Sequence, residues 1–404
     1  MQKGVLLLKI TNRSLVIKIC AAILFLSVFV PLVFYANQNN PKNTSTDGKS
    51  AVRYVSARVL HVLKDNTEVD PQKEGIRLGN QEIEIEITSG AHKGERTTIT
   101  NYLSILHNVY TKQGTGIIAR IDTQQNGSYQ VSVYNYNRSI ALYAFIAFFI
   151  AILCLIGGKK GVKAVLGLLF TLICVVFVLI PLVMKGVPAI SITVGILILT
   201  TVVSLIILDG VNQKTISAIL GTTIGVLFAG ICSIIMGNIV HLSGFNMEEA
   251  ESLLLVASDT NLKIRGLLVC AILISSLGAV MDMAISIASS IQEIYSINPK
   301  LNSRELFHSG MNIGRDAMGT MAFTLILAFT GSSFNMLLLI FSYGIPFTQL
   351  INTDLIGTEL LQAIAATIGI IVTVPVVAYI SSYIIAKNLF VQKTEKPSKI
   401  RKKA

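Results

Sequence analysis

The sequence predicts a polytopic α-helical membrane protein of about eight transmembrane helices, with a small extracytoplasmic β-barrel-like domain between the first two. Three observations predict it. Charged residues make up only 14% of the 404 positions, where soluble proteins carry about 25%, and 52% are hydrophobic, for a mean hydropathy of +0.66. From Ile140 onward, apolar runs long enough to cross a hydrocarbon core follow one another. Between the first apolar run and the second, the chain alternates apolar with polar residues instead. This pattern excludes a purely cytosolic enzyme, a disordered chain and a disulfide-stapled one.

Residues 1–18 hold Lys3, Lys9, Arg13 and Lys18 with no acid, and form a basic cytoplasmic N-terminus. Residues 19–36 (ICAAILFLSVFVPLVFYA) are the first span. They follow a basic stretch, as a signal peptide does, but Phe34 stands where cleavage before residue 37 would require a small residue, so the helix is read as uncleaved. Residues 387–404 carry seven basic residues against Glu395 and form a basic cytoplasmic tail. The two tails hold 10 of the 11 net positive charges. Both flank apolar segments, so the excess reads as anchoring against anionic lipid and not as nucleic-acid binding.

Residues 37–138 are the extracytoplasmic β-rich domain with its N-terminal linker, QNNPKNTSTDGKS. In QEIEIEIT, Ile83, Ile85 and Ile87 fall on one face and Glu82, Glu84 and Glu86 on the other, the period of a half-buried strand. Further strands are expected at 52–63, 94–101, 116–122 and 129–136, separated by Ser89-Gly90, Lys93-Gly94, Gly114-Thr115-Gly116 and Asn126-Gly127. Closing such short strands into a barrel removes vulnerable edges.

Residues 139–386 form a seven-helix membrane domain, with spans at about 139–156, 164–184, 188–208, 214–240, 264–290, 317–342 and 358–386. The turn 157–163 holds three lysines and the turn 184–188 holds one, which with the basic tails places both termini inside. The loop 241–265 then falls outside, where Leu253, Leu254, Val256 and Ala257 suggest a short interfacial helix. The five cysteines lie in separate apolar runs without CxxC spacing and read as small buried hydrophobes.

Within the spans, Ser217, Gly221, Gly225, Ala229, Ser233 and Gly237 recur at every fourth residue. Small residues at that spacing let helix backbones approach, either in a crossed pair or at a homodimer seam. Asp282 is the acid set deepest in a predicted span, and Ser275, Ser286, Ser289 and Glu293 share its face. A carboxylate at the bilayer centre costs at least ~2.5–3.5 kcal/mol and calls for a partner, a proton or a function. The segment RELFHSGMNIGRDAMGT continues the polar theme, with Asn312, Asp316 and Thr320 one turn apart. Arg315 is a candidate counter-charge to Asp282, or alternatively an anchor at the headgroups. Glu359 and Gln362 begin a polar and small stripe in the last span.

No P-loop, HExxH or GxSxG motif occurs, and no second histidine stands near His308. Neither catalytic residues nor a cofactor nor a metal is expected, and an enzyme is not the reading.

The strings LGAVMDMAISIASSIQEI, RELFHSGMNIGRDAMGTMAFTLILAFTGSS and SYGIPFTQLINTDLIGTEL, and ITSGAHKGERTTITNYLS in the β-rich domain, are similar to those of the YibE/YibF-like family of bacterial multi-pass membrane proteins. The resemblance implies a protein of the bacterial inner membrane, without an agreed activity and without functional residues to carry over. The residue pattern favours a permease for an unidentified ion or small solute, with a polar path around Asp282 and Arg315. The alternative is a non-enzymatic envelope scaffold or accessory subunit whose outer β domain binds a partner. Expected partners are the bilayer, the unknown solute or ion, and a second copy or another membrane protein.

Overall fold

A computed structural model describes residues 27, 29–38, 52–123, 128–246, 250–259, 261–264 and 266–387. Both basic tails beyond Lys387 and before residue 27 lie outside the described residues, as do 39–51, Asn126-Gly127 and Glu248-Glu249. The chain divides into two compact units, one of Asn39–Ile156 and one of the remainder.

The first unit is a five-stranded antiparallel sheet of β1 (Val52–Val69), β2 (Arg77–Ile87), β3 (Arg96–Leu103), β4 (Gly116–Thr123) and β5 (Tyr129–Tyr136), in the order β3-β2-β1-β4-β5. The central strand β1 runs six residues past the predicted 52–63, and register shifts after Val59 and Val62 bend it. Such bulges sharpen strand twist and curl. The curl brings β3 and β5 near each other, although the hydrogen-bonded ladder ends at these two strands. The sheet is therefore curled, with free edges at β3 and β5. Its inner face buries Val55, Ala57, Val59, Ile83, Ile85, Ile87, Ile117 and Ile121, while Glu82, Glu84 and Glu86 lie outside this core.

One polar residue joins the inward row. Gln81 is fully buried, and its Oε1 accepts hydrogen bonds from Thr111 N at 2.9 Å and Thr111 Oγ1 at 3.0 Å. Its Nε2 donates to Thr111 O at 3.0 Å. Every polar group of the amide is thus used, which makes its burial tolerable. Nearby, Gly79 adopts φ +119°, and a Cβ there would stand 2.3 Å from Asn66 O, so only glycine fits.

In the second unit, helix α1 covers residues 29–37. Asn37 Nδ2 donates to Phe177 O at 2.8 Å, and Phe29 lies against Phe170. Helix α2 (Ser139–Cys174) begins in the first unit and leads, through a π turn at Val175–Leu179, into α3 (Ile180–Met184). Gly158 breaks this path with φ 52° and ψ −133°, inside the predicted lysine turn. There follow α4 (Ala189–Asp209), α5 (Gln213–Ile239), α6 (Ala250–Asp259), α7 (Leu267–Ile297), α8 (Ser303–Ser332), α9 (Phe334–Ser342), α10 (Phe347–Leu350) and α11 (Asp354–Ala386).

Five helical stretches among the described residues are long and apolar enough to cross a membrane, or six if α8 and α9, bent by 60°, form one span. Eight spans were expected. The difference arises because residues 19–26 and 28 lie outside the described residues, and because Ser139–Met184, broken at Gly158, counts as a single stretch. Helix α6 occupies the loop where an interfacial helix was expected, with Leu254, Leu255 and Val256 exposed.

Helices α5, α7, α8 and α11 form the packed centre around Val280, Ala284, Ile287, Ile291, Val374 and Ala378. Their directions alternate. Gly221 meets Val377 while Gly237 meets Leu361, so α5 and α11 are antiparallel. Gly310 meets Ile291 and Gly314 meets Ile287, so α8 runs antiparallel to α7.

Candidate functional site

The packing of α5 on α11 shows where a path cannot run. Ser217, Gly221, Gly225, Ala229, Ser233 and Gly237 are all buried. A Cβ on Gly221 would stand 2.0 Å from Val377 Cγ2, and one on Gly225 would stand 1.9 Å from Thr373 Oγ1. Backbones this close leave no room for solute, and dispersion between them supplies the packing energy that the hydrophobic effect withholds in lipid. Between α4, α5 and α7, beside Thr201 and Thr222, a crevice of about 10 Å³ remains, near the least space one water requires.

The polar residues of α7 lie on its opposite side. Met283, Ala284, Ile287 and Ile291 are buried, whereas Asp282, Ser286 and Glu293 are exposed and Ser289 is half-buried. The same division holds on α8. Leu306, Gly310 and Gly314 face the packed centre, and Asn312, Arg315, Asp316 and Thr320 are exposed. Gly310 and Gly314 of α8 pack against Ile291 and Ile287 of α7, so the exposed polar residues of each helix lie on the sides turned away from this contact.

The level of Asp282 follows from α4. That helix is 21 residues long, about 31 Å at 1.5 Å per residue and close to one bilayer core. It ends at Asp209, which pairs with Lys214 at 3.1 Å, and Lys163 Nζ donates to Leu208 O at 3.0 Å at the same end. Ser289 shares a crevice with Asp209 and Lys214, so it stands at the boundary. Asp282 is two turns further in, about 10 Å below that level.

The expected pair of Asp282 with Arg315 is not formed. The ion pairs among the described residues are His92–Glu95, Arg96–Glu86, Arg120–Asp122 and Lys214–Asp209. Glu305, at the start of the same polar segment, is engaged at the beginning of α8. Its carboxylate accepts from Asn302 N at 2.8 Å, and its own N–H donates to Asn302 Oδ1 at 3.0 Å, a reciprocal cap. On α11, Glu359 and Gln362 are half-buried, and Glu359 Oε2 is a buried oxygen with no hydrogen-bond partner. The structure does not bring them to the polar face of α7. Gln292 Oε1 is likewise buried and unpartnered, and sequence spacing had not singled it out.

No group of three or more His, Cys, Asp or Glu side chains suited to a metal occurs among the described residues.

Residues 145–387 match the sequence model of a family described as YibE/F-like protein, a range that holds α3 to α11 and the polar residues of α7, α8 and α11 just described. The chain belongs to the YibE/F-like family. No curated protein and no solved structure matches it. The YibE/F-like match begins beyond the sheet, so the similarity expected at residues 87–104 lies outside it. Family and apolar helices together make this a membrane protein.

Proposed function

We propose that this YibE/F-like protein is a non-enzymatic permease for an ion or small solute, and that the polar face of α7 is its conducting surface. One observation carries the reading: an exposed carboxylate, Asp282, about 10 Å inside the boundary, continued by Ser286, Ser289 and Glu293 toward the helix end. A charge held in hydrocarbon without a partner is retained where it has work to do. Asp282 is the group that exchanges a proton or cation. Serine hydroxyl groups replace part of the solute's hydration along the way.

The reading carries a topology. One end of the helical unit holds Lys163, Lys214, Lys300, Arg304 and Lys387, whereas the described residues of the other end hold Lys185 and Lys263. The positive-inside rule makes the first end cytoplasmic. Breaking Ser139–Met184 at Gly158 and adding residues 19–36 gives eight spans, with both termini inside and the sheet outside. We place the protein in a bacterial inner membrane, its basic tails against anionic lipid.

Purified protein in liposomes is expected to show a solute or ion flux that is lost in Asp282→Asn while the protein still elutes as a folded species. Unaltered flux in that folded variant would remove Asp282 from the path.

A second reading, an envelope scaffold, has its own observation. The free edges of β3 and β5 flank a groove of about 350 Å³ lined by Tyr102, His107, Arg120, Ser132 and Tyr134. Deleting residues 50–136 would then abolish function, and neutralising Asp282 would act only through stability.

A further inference from the structure

The close crossing of α5 and α11 opens into a cleft toward the C-terminal end of α5. A Cβ on Gly225 would stand 1.9 Å from Thr373 of α11, and one on Gly369 would stand 2.9 Å from Ala229 of α5. One on Gly237 would stand 3.7 Å from Leu361, so the contact loosens along the pair. The space that opens is a cavity of about 430 Å³, lined by Cys232, Met236 and Val240 of α5 and by Leu360, Ile364 and Ile368 of α11. It is as large as sites that take a whole small ligand. Met236, Val240, Leu360 and Ile364 are exposed, so one side of the cavity is open.

The chain leaving α5 forms a wall. His241 adopts φ 59°, uncommon for a residue with a side chain. The turn brings Leu242 back, where a Cβ on Gly357 would stand 2.9 Å from it, and Leu242 packs with Leu268, Ile272, Leu361 and Ala365.

The bilayer sets the level of each end. Ser289 stands at one boundary, and Leu268 precedes it by 21 residues on α7. That is about 31 Å, so Leu268 stands at the other boundary, together with Leu361, which packs with it. Thr373 and Val280 both meet Gly225, so α11 runs parallel to α7, and Ile368 lies about 10 Å inside hydrocarbon. Asn352, Thr353 and Asp354 line the opposite end, on the water side of Leu361. Among the described residues that line the cavity, Asp354 is the one charged group. The shape is that of an amphiphile: a long apolar slot beside hydrocarbon, capped by a polar rim that carries an acid and no base.

We propose that this cavity holds an acyl chain of a phospholipid from the leaflet at this end, with the ammonium headgroup of phosphatidylethanolamine at the rim. An apolar slot open to hydrocarbon offers a polar solute nothing to hydrogen-bond, and an acidic rim favours an ammonium over a net anionic headgroup. The inference rests on the membrane placement of α5, α7 and α11 and not on transport.

The test uses the full-length protein, delipidated in detergent and titrated with phosphatidylethanolamine or phosphatidylglycerol under native mass spectrometry. One phosphatidylethanolamine per chain is expected to be retained in preference to phosphatidylglycerol. Ile364→Trp, which fills the slot, lowers that fraction by about tenfold or more. Ile371→Trp, equally outward on the same helix but outside the cavity, leaves it unchanged. Should Ile364→Trp misfold, phosphatidylethanolamine with a photoreactive acyl chain is expected to label the wild type within 232–240 and 360–368. No retained lipid, equal or stronger retention of phosphatidylglycerol, an equal loss in Ile371→Trp, or label spread evenly over the lipid-facing helices overturns the proposal. So does a peptide, solute or second chain that holds the site against added lipid. Flux that survives Asp282→Asn would remove the permease path and leave this inference standing.

Discussion

Thr373 lies so close to Gly225 that a methyl group on the glycine would stand 1.9 Å from the threonine hydroxyl oxygen. That hydroxyl already donates to Gly369 O at 2.7 Å within its own helix, and Gly369 in turn approaches Ala229. Four small residues on two antiparallel helices thus set the distance between α5 and α11, and Val280 of α7 closes the third side.

Gly225→Ala is therefore expected to destabilise the helical unit by ~1–3 kcal/mol, the usual cost of overpacking. Thermal unfolding in detergent measures it. Gly195→Ala, where a Cβ meets nothing within 4 Å, is the matched control and should change little. Combining Gly225→Ala with Thr373→Ala should recover part of the loss.

In the sheet, Gln81→Leu should cost ~1–3 kcal/mol, because Thr111 N–H, a buried donor, loses its acceptor while the volume is kept. Faster hydrogen exchange at the amides of β2 and β3 in the full-length protein is the readout. Exchange left unchanged would mean that water takes the place of the amide.

The pH dependence of the same region has a definite sign. Burial pushes the Asp65 carboxyl up, but hydrogen bonds from Thr67, Tyr110 and Gln81 outweigh it and hold it below its ordinary 3.8. A carboxyl depressed in the folded state contributes stability above the unfolded value, and that contribution is lost as pH falls through the folded value. Tyr110→Phe removes the 3.0 Å bond to Asp65 Oδ2 and lets the folded value rise toward the unfolded one, so the acid-dependent loss in β1 should be smaller and complete at a higher pH than in the wild type. Hydrogen exchange at β1 across an acid titration checks the direction.

At the start of α8, Asn302→Ala should cost ~0.5–2 kcal/mol through loss of the cap. Its effect should be confined to exchange in the first turn, around Ser303–Leu306. If the whole helix loosened, the cap would be holding more than its own end.

Much of this architecture is legible in residue order. Strand β5 occupies the expected 129–136, and Ile83, Ile85 and Ile87 point inward, because a period of two can bury only one face. The break at Gly158 lies in the lysine turn, which holds three lysines and three glycines, and a glycine takes its positive φ at low cost. The length of β1 was less legible. Residues 64–69 (KDNTEV) have little apolar alternation and are strand only because β2 pairs with them through Asp65–Gln81 to Val69–Arg77. Gln81 falls on the inward face by the same period of two, and only its surroundings reveal how a polar side chain is satisfied there.

The sequence by itself determined that apolar helices follow a small sheet, and which polar residues share one face of α7, because those properties depend on local period and composition alone. Only the tertiary structure decided which way that face turns. The fourth-residue recurrence in α5 names small residues but not their neighbour; once α11 and α7 fill that groove, the packed side of α7 is fixed by close contact. Asp282 and Arg315 are left on the outside, because a helix face is defined within a chain, but its direction is set by what packs on the opposite side.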